Sequence, residues 1–321
     1  MQALIKIKEG KGHVQLREVA EPQWREGMVL IKVAYAGLCG SDLHILHNDI
    51  ALRMKPPVII GHEFSGYVVK GKYPEGTSVV SETAFSFCRQ CENCVSGNYH
   101  QCESKQILGY FHNGCFAPYV LVPERNVYQI PQGVSMKVAT MTEPLACCVH
   151  ALYEVGHIER GSDVLVIGAG TIGQLCAQLA HHAGASVTVI GTANSSHRLA
   201  IASSLGFEVG IDLPDRRFDT VIECSGSSQG TQNALLMAKR MGTVILMAFD
   251  KTPIDTSIIS YHELNILGSI SSKNTSWMKS LLLLPHLNLE PLILNERPLA
   301  QWKQSFEDFE KGKGLKTLFV M

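Results

Sequence analysis

Three things are missing from this chain of 321 residues. It has no apolar run of the roughly 20 residues that would cross a bilayer; its longest aliphatic run, the four leucines at 281–284, stops at Pro285. That excludes a helical membrane span. It has no excess of charge: 28 basic residues stand against 29 acidic ones, a net charge of −1. Such a balance supplies none of the attraction that binds a nucleic-acid backbone or an anionic membrane. It also has no repeat and no low-complexity tract, and with 45% hydrophobic and 18% charged residues it leaves little room for disorder. The opening MQALIKIKEGKG alternates apolar and polar residues like a strand, without the apolar core and cleavage site of an export signal. The expected compartment is cytoplasmic, where ten cysteines read as reduced thiols.

At roughly 150 residues per domain the length allows two domains. Residues 1–143 carry short β-type runs (28–36, 64–70, 77–81 and 116–122) broken by Gly, Pro and Asn, which predicts a β-rich domain with long loops. From 144 to 271 strand and helix alternate: strands at 163–168, 186–190, 219–224, 242–248 and 264–270, helices at 171–183, 197–205 and 229–240. That alternation predicts a parallel sheet covered on both faces. The tail, 272–321, holds a leucine-rich helix, an extended piece at 292–294, an amphipathic helix at 299–311 and a closing strand at 316–320, and is expected to return to the first domain.

The segment DVLVIGAGTIGQLCAQLA places Gly168, Gly170 and Gly173 in a GxGxxG pattern between a strand-like and a helix-like run, with Thr171 opening the helix. That context makes a common pattern a dinucleotide signature. The first glycine allows the tight turn, the second lets backbone approach a pyrophosphate at the helix N-terminus, and the third lets helix and strand pack closely. An acidic residue at the end of the next strand would bind the ribose 2′-hydroxyl of NAD. Here VTVIGTANSSHRLA has Gly191 in that place, while Ser195, Ser196 and Arg198 can hold a 2′-phosphate by hydrogen bonds and charge. NADP is favoured over NAD; the competing reading makes Arg198 a solvated residue in the first turn of a helix.

The run FCRQCENCVSGNYHQC sets Cys88, Cys91, Cys94 and Cys102 at CxxCxxCx7C spacing. Four thiolates from one short lobe close a tetrahedral zinc site with no open position, the form of a structural metal; an iron–sulfur cluster is the rival. A third set is scattered: Cys39 and His44 in CGSDLH, His62 and Glu63 in GHEFSG, and Glu143 in TEPLACC. Alone, each reads as an ordinary packed or surface residue. Together they offer a thiolate, an imidazole and two carboxylates, the mixture of a catalytic zinc with an exchangeable position.

In this order, GHEFSG, the four-cysteine lobe, EPLACC and GAGTIG resemble the zinc-dependent medium-chain dehydrogenases, and the likeness to their sorbitol (L-iditol) and threonine dehydrogenase branch runs nearly end to end, through ELNILGSIS and GKGLKTLFV. The resemblance implies an α/β protein: a Rossmann doubly wound parallel sheet plus a β-rich GroES-like catalytic domain. It implies one catalytic and one structural zinc, and hydride transfer between a secondary alcohol or polyol, or its ketone, and NADP or NAD. By the family pattern Cys39, His62 and Glu63 or Glu143 hold the catalytic zinc, and Ser41 and His44 match the proton relay. Ile172, Arg198, Met247, Ala248, Phe249, Ser269, Ile270 and Ser271 fall along the cofactor. Small-molecule substrates, no nucleic acid and a homodimer or homotetramer are implied as well.

The chain departs from the pattern in places. It is several residues shorter after GHEFSG, and Thr77 and Ser78 stand where the family often has Asp and Arg. Ile45 and Ser271 replace the tyrosine and arginine that sorbitol dehydrogenases place near the polyol, which favours a different polyol or secondary alcohol. Ile45, Phe111, His112 and Phe116 are candidates for a partly apolar pocket. A threonine-type or simple alcohol dehydrogenase is the alternative within the class. Outside it stand a non-catalytic dinucleotide sensor or structural protein, which has no need of Cys39, His62 and the carboxylates, and a zinc-ribbon nucleic-acid binder, which accounts for the cysteine lobe alone.

Overall fold

The computed structural model describes residues 1–48, 53–248 and 253–321. They form two compact units, one of Met1–Glu143, Lys273–Pro285 and Ile293–Met321, the other of Pro144–Ser272 and His286–Leu292. Among the described residues no helix is long and apolar enough to cross a membrane.

The spine of the first unit is the strand Met28–Gly37, whose alternation buries Val29, Ile31 and Val33 and turns Lys32 to solvent. It pairs antiparallel with Glu63–Lys70 on one side and Lys316–Val320 on the other, and Tyr119–Pro123 runs along its first half. Register fixes where these strand ends meet. Gly37 faces both Glu63 and Leu318, so the end of the central strand and the beginnings of its two neighbours open on one edge. A side chain on Gly37 would collide with the Glu63 carboxylate.

Beneath the sheet lies a core of Ile31, Ile45, Ile60, Phe64, Val68, Phe116, Phe306 and Phe319. Phe116 meets Phe319 edge-on at 5.1 Å between ring centroids, and burying each such ring contributes about 1.5–3 kcal/mol. Ile45 and Phe116 therefore form part of the core. His112 stacks flat on Phe85 at 3.7 Å, and Phe111 packs against the same core. The strand expected from residue 116 begins at Tyr119. Pro118 has no N–H for the ladder, and the Phe116 backbone bonds instead to Leu4 and Ile60.

In the second unit six strands lie in the order Glu208–Gly210, Ser186–Ile190, Asp163–Ile167, Phe218–Glu223, Ala238–Leu246, Asn265–Gly268, every pair parallel. This is the 3-2-1-4-5-6 order of a doubly wound dinucleotide fold. Runs such as VLVI and VTVI have no polar face because helices cover both sides. The helix expected to reach Arg240 stops at Met237, since Ala238 is extended and already pairs with Phe218. The tail returns to the first unit in two pieces, Lys273–Pro285 and Ile293–Met321. His286–Leu292 stays with the second, where Asn288 and Gln178 exchange hydrogen bonds of 2.8 and 2.9 Å.

Candidate active site

Helix Gly40–His47 leaves the central strand directly after Cys39, and Asp42 turns back to accept the Cys39 N–H at 2.9 Å, fixing the first turn. His62 directly precedes the neighbouring strand and Glu63 opens it. One donor atom each from Cys39, His62 and Glu63 lies within 4.8 Å of the others. Asp42 Oδ1 faces His62 Nδ1 at 3.9 Å, and Ser41 Oγ lies 3.4 Å from His62 Nε2. His44 follows Ser41 by three residues and so shares its helix face. Glu143, in the first turn of the helix Thr142–Val149, acts on His62 and Lys316 through its charge but stands outside the compact donor group.

Two further residues complete the centre. Lys316, buried at the start of its strand, forms an ion pair with Glu63 and donates to the Leu38 carbonyl at 3.0 Å. Burial opposes its charge, but Glu63 and Cys39 outweigh that and hold its pKa above the ordinary value. Tyr110, also buried, lies beside them, its ring 5.8 Å from that of His62.

The field at this edge favours a cation. Burial works against charge on the His62 ring, yet Cys39 and the Asp42 and Glu143 carboxylates prevail and raise its pKa to about 10. Burial pushes Asp42 up to about 6. Asp42 Oδ1 and Glu63 Oε1 are buried without a hydrogen-bond partner, a costly state for a polar atom. One sulfur, one imidazole and one carboxylate within 4.8 Å of one another make a donor set that fits a zinc ion.

The cysteine lobe gathers Cys88, Cys91, Cys94 and Cys102 with their sulfurs within 4.8 Å of one another. The Cys91 N–H donates to Cys88 Sγ at 3.4 Å and the Cys88 N–H to Cys102 Sγ at 3.5 Å. Backbone N–H groups of Gln90 and Cys91 bring the Cys88 thiol down to about 6, while burial pushes Cys94 up to about 12. Four sulfurs facing one point fit a closed tetrahedral zinc site.

In the second unit Gly168 takes φ 106°, and a Cβ there would lie 2.8 Å from Ser225 N. A Cβ on Gly173 would strike the Gly168 carbonyl, whereas Gly170 looks onto open space. Helix Thr171–His182 has no side-chain cap, so the amides at Thr171 and Ile172 face outward as a phosphate would require. Met247, Ala248, Ser269, Ile270 and Ser271 follow the last two strands at the same edge of the sheet, with the Met247 N–H on the Glu223 carbonyl and the Ser269 N–H on that of Leu246. Phe249 lies outside the described residues. Gly191 directly follows the strand Ser186–Ile190, and a Cβ there would collide with Ser195 Oγ. Ser196 opens the next helix, and half-buried Arg198 is tied through its carbonyl to Gln174 at 2.8 Å.

Residues 25–132 match the alcohol dehydrogenase GroES-like domain and residues 171–284 the zinc-binding dehydrogenase domain. A sorbitol dehydrogenase of Halalkalibacterium halodurans is 33% identical over 343 residues, covering 100% of this chain and 99% of the relative. The chain belongs to the zinc-binding alcohol dehydrogenase family. Another member, the D-arabitol-phosphate dehydrogenase of Enterococcus avium, is 32% identical over 99% of this chain and 97% of its own length. Among solved structures of such dehydrogenases, one from Sinorhizobium meliloti bound to NADP superposes with a TM-score of 0.91 at 27% identity, covering 100% of this chain and 99% of that one.

Within this family member, reasoning from sequence missed Asp42, Tyr110 and Lys316. Asp42 could have been found, since it follows Cys39 at the spacing of a helix cap. The others come to the site only through strand register and loop packing.

Proposed function

We propose that this chain oxidises a secondary hydroxyl of a polyol or related alcohol to the ketone, and reduces it back, with zinc and NADP or NAD. The observation that carries the reading is the convergence of Cys39, His62 and Glu63 within 4.8 Å. Zinc bound there supplies Lewis acidity that lowers the pKa of a substrate hydroxyl, and a dinucleotide on the glycine turn supplies the hydride acceptor. Ser41, beside His62 Nε2, accepts the hydroxyl proton and passes it to His44 on the same helix face. Asp42 holds the His62 ring in place, and Lys316 balances Glu63 so that the buried donor set is not left with excess negative charge.

NADP is the favoured dinucleotide. Gly191 has no room for the acidic side chain that would read a free ribose hydroxyl, and Ser195, Ser196 and Arg198 cluster beyond it. The NADP-bound relative supports the same choice. We place the protein in the cytoplasm, with all ten cysteines free, as a homodimer or homotetramer. The edge strand Asn265–Gly268 and the exposed Tyr261 and Met241 offer a surface for a second copy.

The purified protein should hold about two zinc ions per chain and reduce NADP with at least one member of a panel of polyols, short secondary alcohols and threonine. His62→Ala should lose one ion and nearly all turnover while keeping its melting temperature; full activity in that variant would overturn the assignment.

A further inference from the structure

The strand order of the second unit reverses between Asp163–Ile167 and Phe218–Glu223, and in a doubly wound sheet a dinucleotide lies across that crevice, at the carboxyl ends of the strands. One wall is the glycine turn. The other is the loop of residues 224–227, which bridges the two edges expected along the cofactor. The Cys224 N–H donates to the Ile167 carbonyl at 2.8 Å. Ser225 stands against Gly168, and a Cβ on Gly226 would meet that of Ala248 at 3.5 Å.

This loop is tied to a single buried carboxylate. Glu223, 1% exposed at the end of its strand, accepts on Oε1 from the Ser225 N–H at 2.7 Å, from the Gly226 N–H at 3.2 Å and from the Ser225 hydroxyl. An oxygen that gathers three donors binds them best as an anion. The bonds all run towards it: the Gly230 N–H donates to Ser227 Oγ at 3.0 Å, Ser227 Oγ lies 2.9 Å from Ser225 Oγ, and Ser225 donates to the carboxylate. Hydroxyls linked in this way polarise one another. Gly230 belongs to the same fit, since a Cβ there would strike Ser225 Oγ and lie 2.8 Å from Glu223 Oε1. The helix Ser228–Met237 thus carries a glycine in its first turn, at a cost of about 0.5–1 kcal/mol relative to alanine, and the loop closes over it. Ser227 already caps that helix, so what the carboxylate adds is the setting of Ser225 and Gly226.

We propose that Glu223 is a positioning residue for the cofactor: its carboxylate sets the loop of residues 224–227 so that this wall seats the half of the dinucleotide beyond the pyrophosphate. This rests on the proposed function and adds to it a residue that acts through Ser225 and Gly226.

Glu223→Gln keeps the shape of the side chain and removes its charge. Wild type and variant, both zinc-loaded, are titrated by calorimetry with NADP, NAD and 2′-phospho-ADP, a fragment that ends before the nicotinamide half. The expected result is about tenfold weaker binding of NADP and of NAD, the worth of one charge-assisted hydrogen bond, with 2′-phospho-ADP affinity and zinc content unchanged. Ser225→Ala, which takes only a hydroxyl from the loop, should show the same split at smaller size, and it decides the matter if Glu223→Gln does not fold. Unchanged dinucleotide affinity, or equal losses for dinucleotide and fragment, would overturn the inference. Wild-type protein that binds NADP but reduces it with no alcohol on the panel would count against the proposed reaction alone, and the split would still decide the role of Glu223.

Discussion

At the scale of single residues, burial and charge oppose each other most clearly at Glu82. This carboxylate accepts from the Tyr128 hydroxyl at 3.3 Å, and its backbone carbonyl takes the Asn126 amide at 3.1 Å. Burial drives its pKa from 4.5 to about 7, against the pull of Tyr99, Tyr128, Arg125 and Lys105. The folded value lies above the unfolded one, so the fold prefers the protonated acid. Its contribution to stability is complete below the unfolded value and is lost as pH rises through the folded one. At about pH 8 the charged form costs on the order of 3 kcal/mol. Glu82→Gln, which keeps the shape without the charge, should raise the melting temperature by several degrees at about pH 8 and by little at about pH 5. Equal shifts at both pH values would show that another group titrates. Nothing in VVSETAF marks this residue in advance, because its neighbours Tyr99 and Tyr128 arrive from elsewhere in the chain.

At the scale of elements, legibility followed distance along the chain. The glycine turn was readable because its requirements are local: Gly168, Gly170 and Gly173 serve one strand, one turn and one helix. The four cysteines of the lobe were readable for the same reason. Lys316 was not, since it reaches the Leu38 carbonyl across 278 residues of sequence and only the pairing of Leu318 with Gly37 puts it there. The strand end at Gly191 lies between these cases. Its missing carboxylate was plain in the sequence, and the structure adds that Ser195 fills the space a side chain would need. Arg198, one turn into the following helix, is the cation left to meet a 2′-phosphate. Arg198→Ala should raise the KM for NADP about tenfold or more, the worth of a charge-assisted hydrogen bond, and leave the KM for NAD nearly as it was. Parallel changes for both cofactors would place Arg198 in the helix framework instead.

At the scale of the whole molecule, the two units differ in what holds them together. The second closes its own core between six parallel strands and their helices, with Leu165, Phe218, Val221, Leu235 and Val244 buried. The first depends on stretches far apart in sequence and on a lobe with almost no core: between Cys88 and Cys102 only His100 and Cys102 are buried. The lobe helix Glu92–Val95 has four residues, too few to stand without tertiary support. Apart from the sulfurs, the stacking of Phe87 on Tyr99 at 4.5 Å is the main apolar tie. A structural zinc is worth about 10–16 kcal/mol in peptides of comparable ligand number, so an ion held by the four sulfurs would supply most of the lobe's order. Cys94→Ser should therefore lower the first unit's melting transition in calorimetry and release one zinc, while the second unit keeps its own transition and still binds 2′-phospho-ADP. A thermogram identical to wild type would remove the structural role from the four cysteines. Loss of both transitions together would show that the second unit leans on the first, against the separate core seen in its sheet.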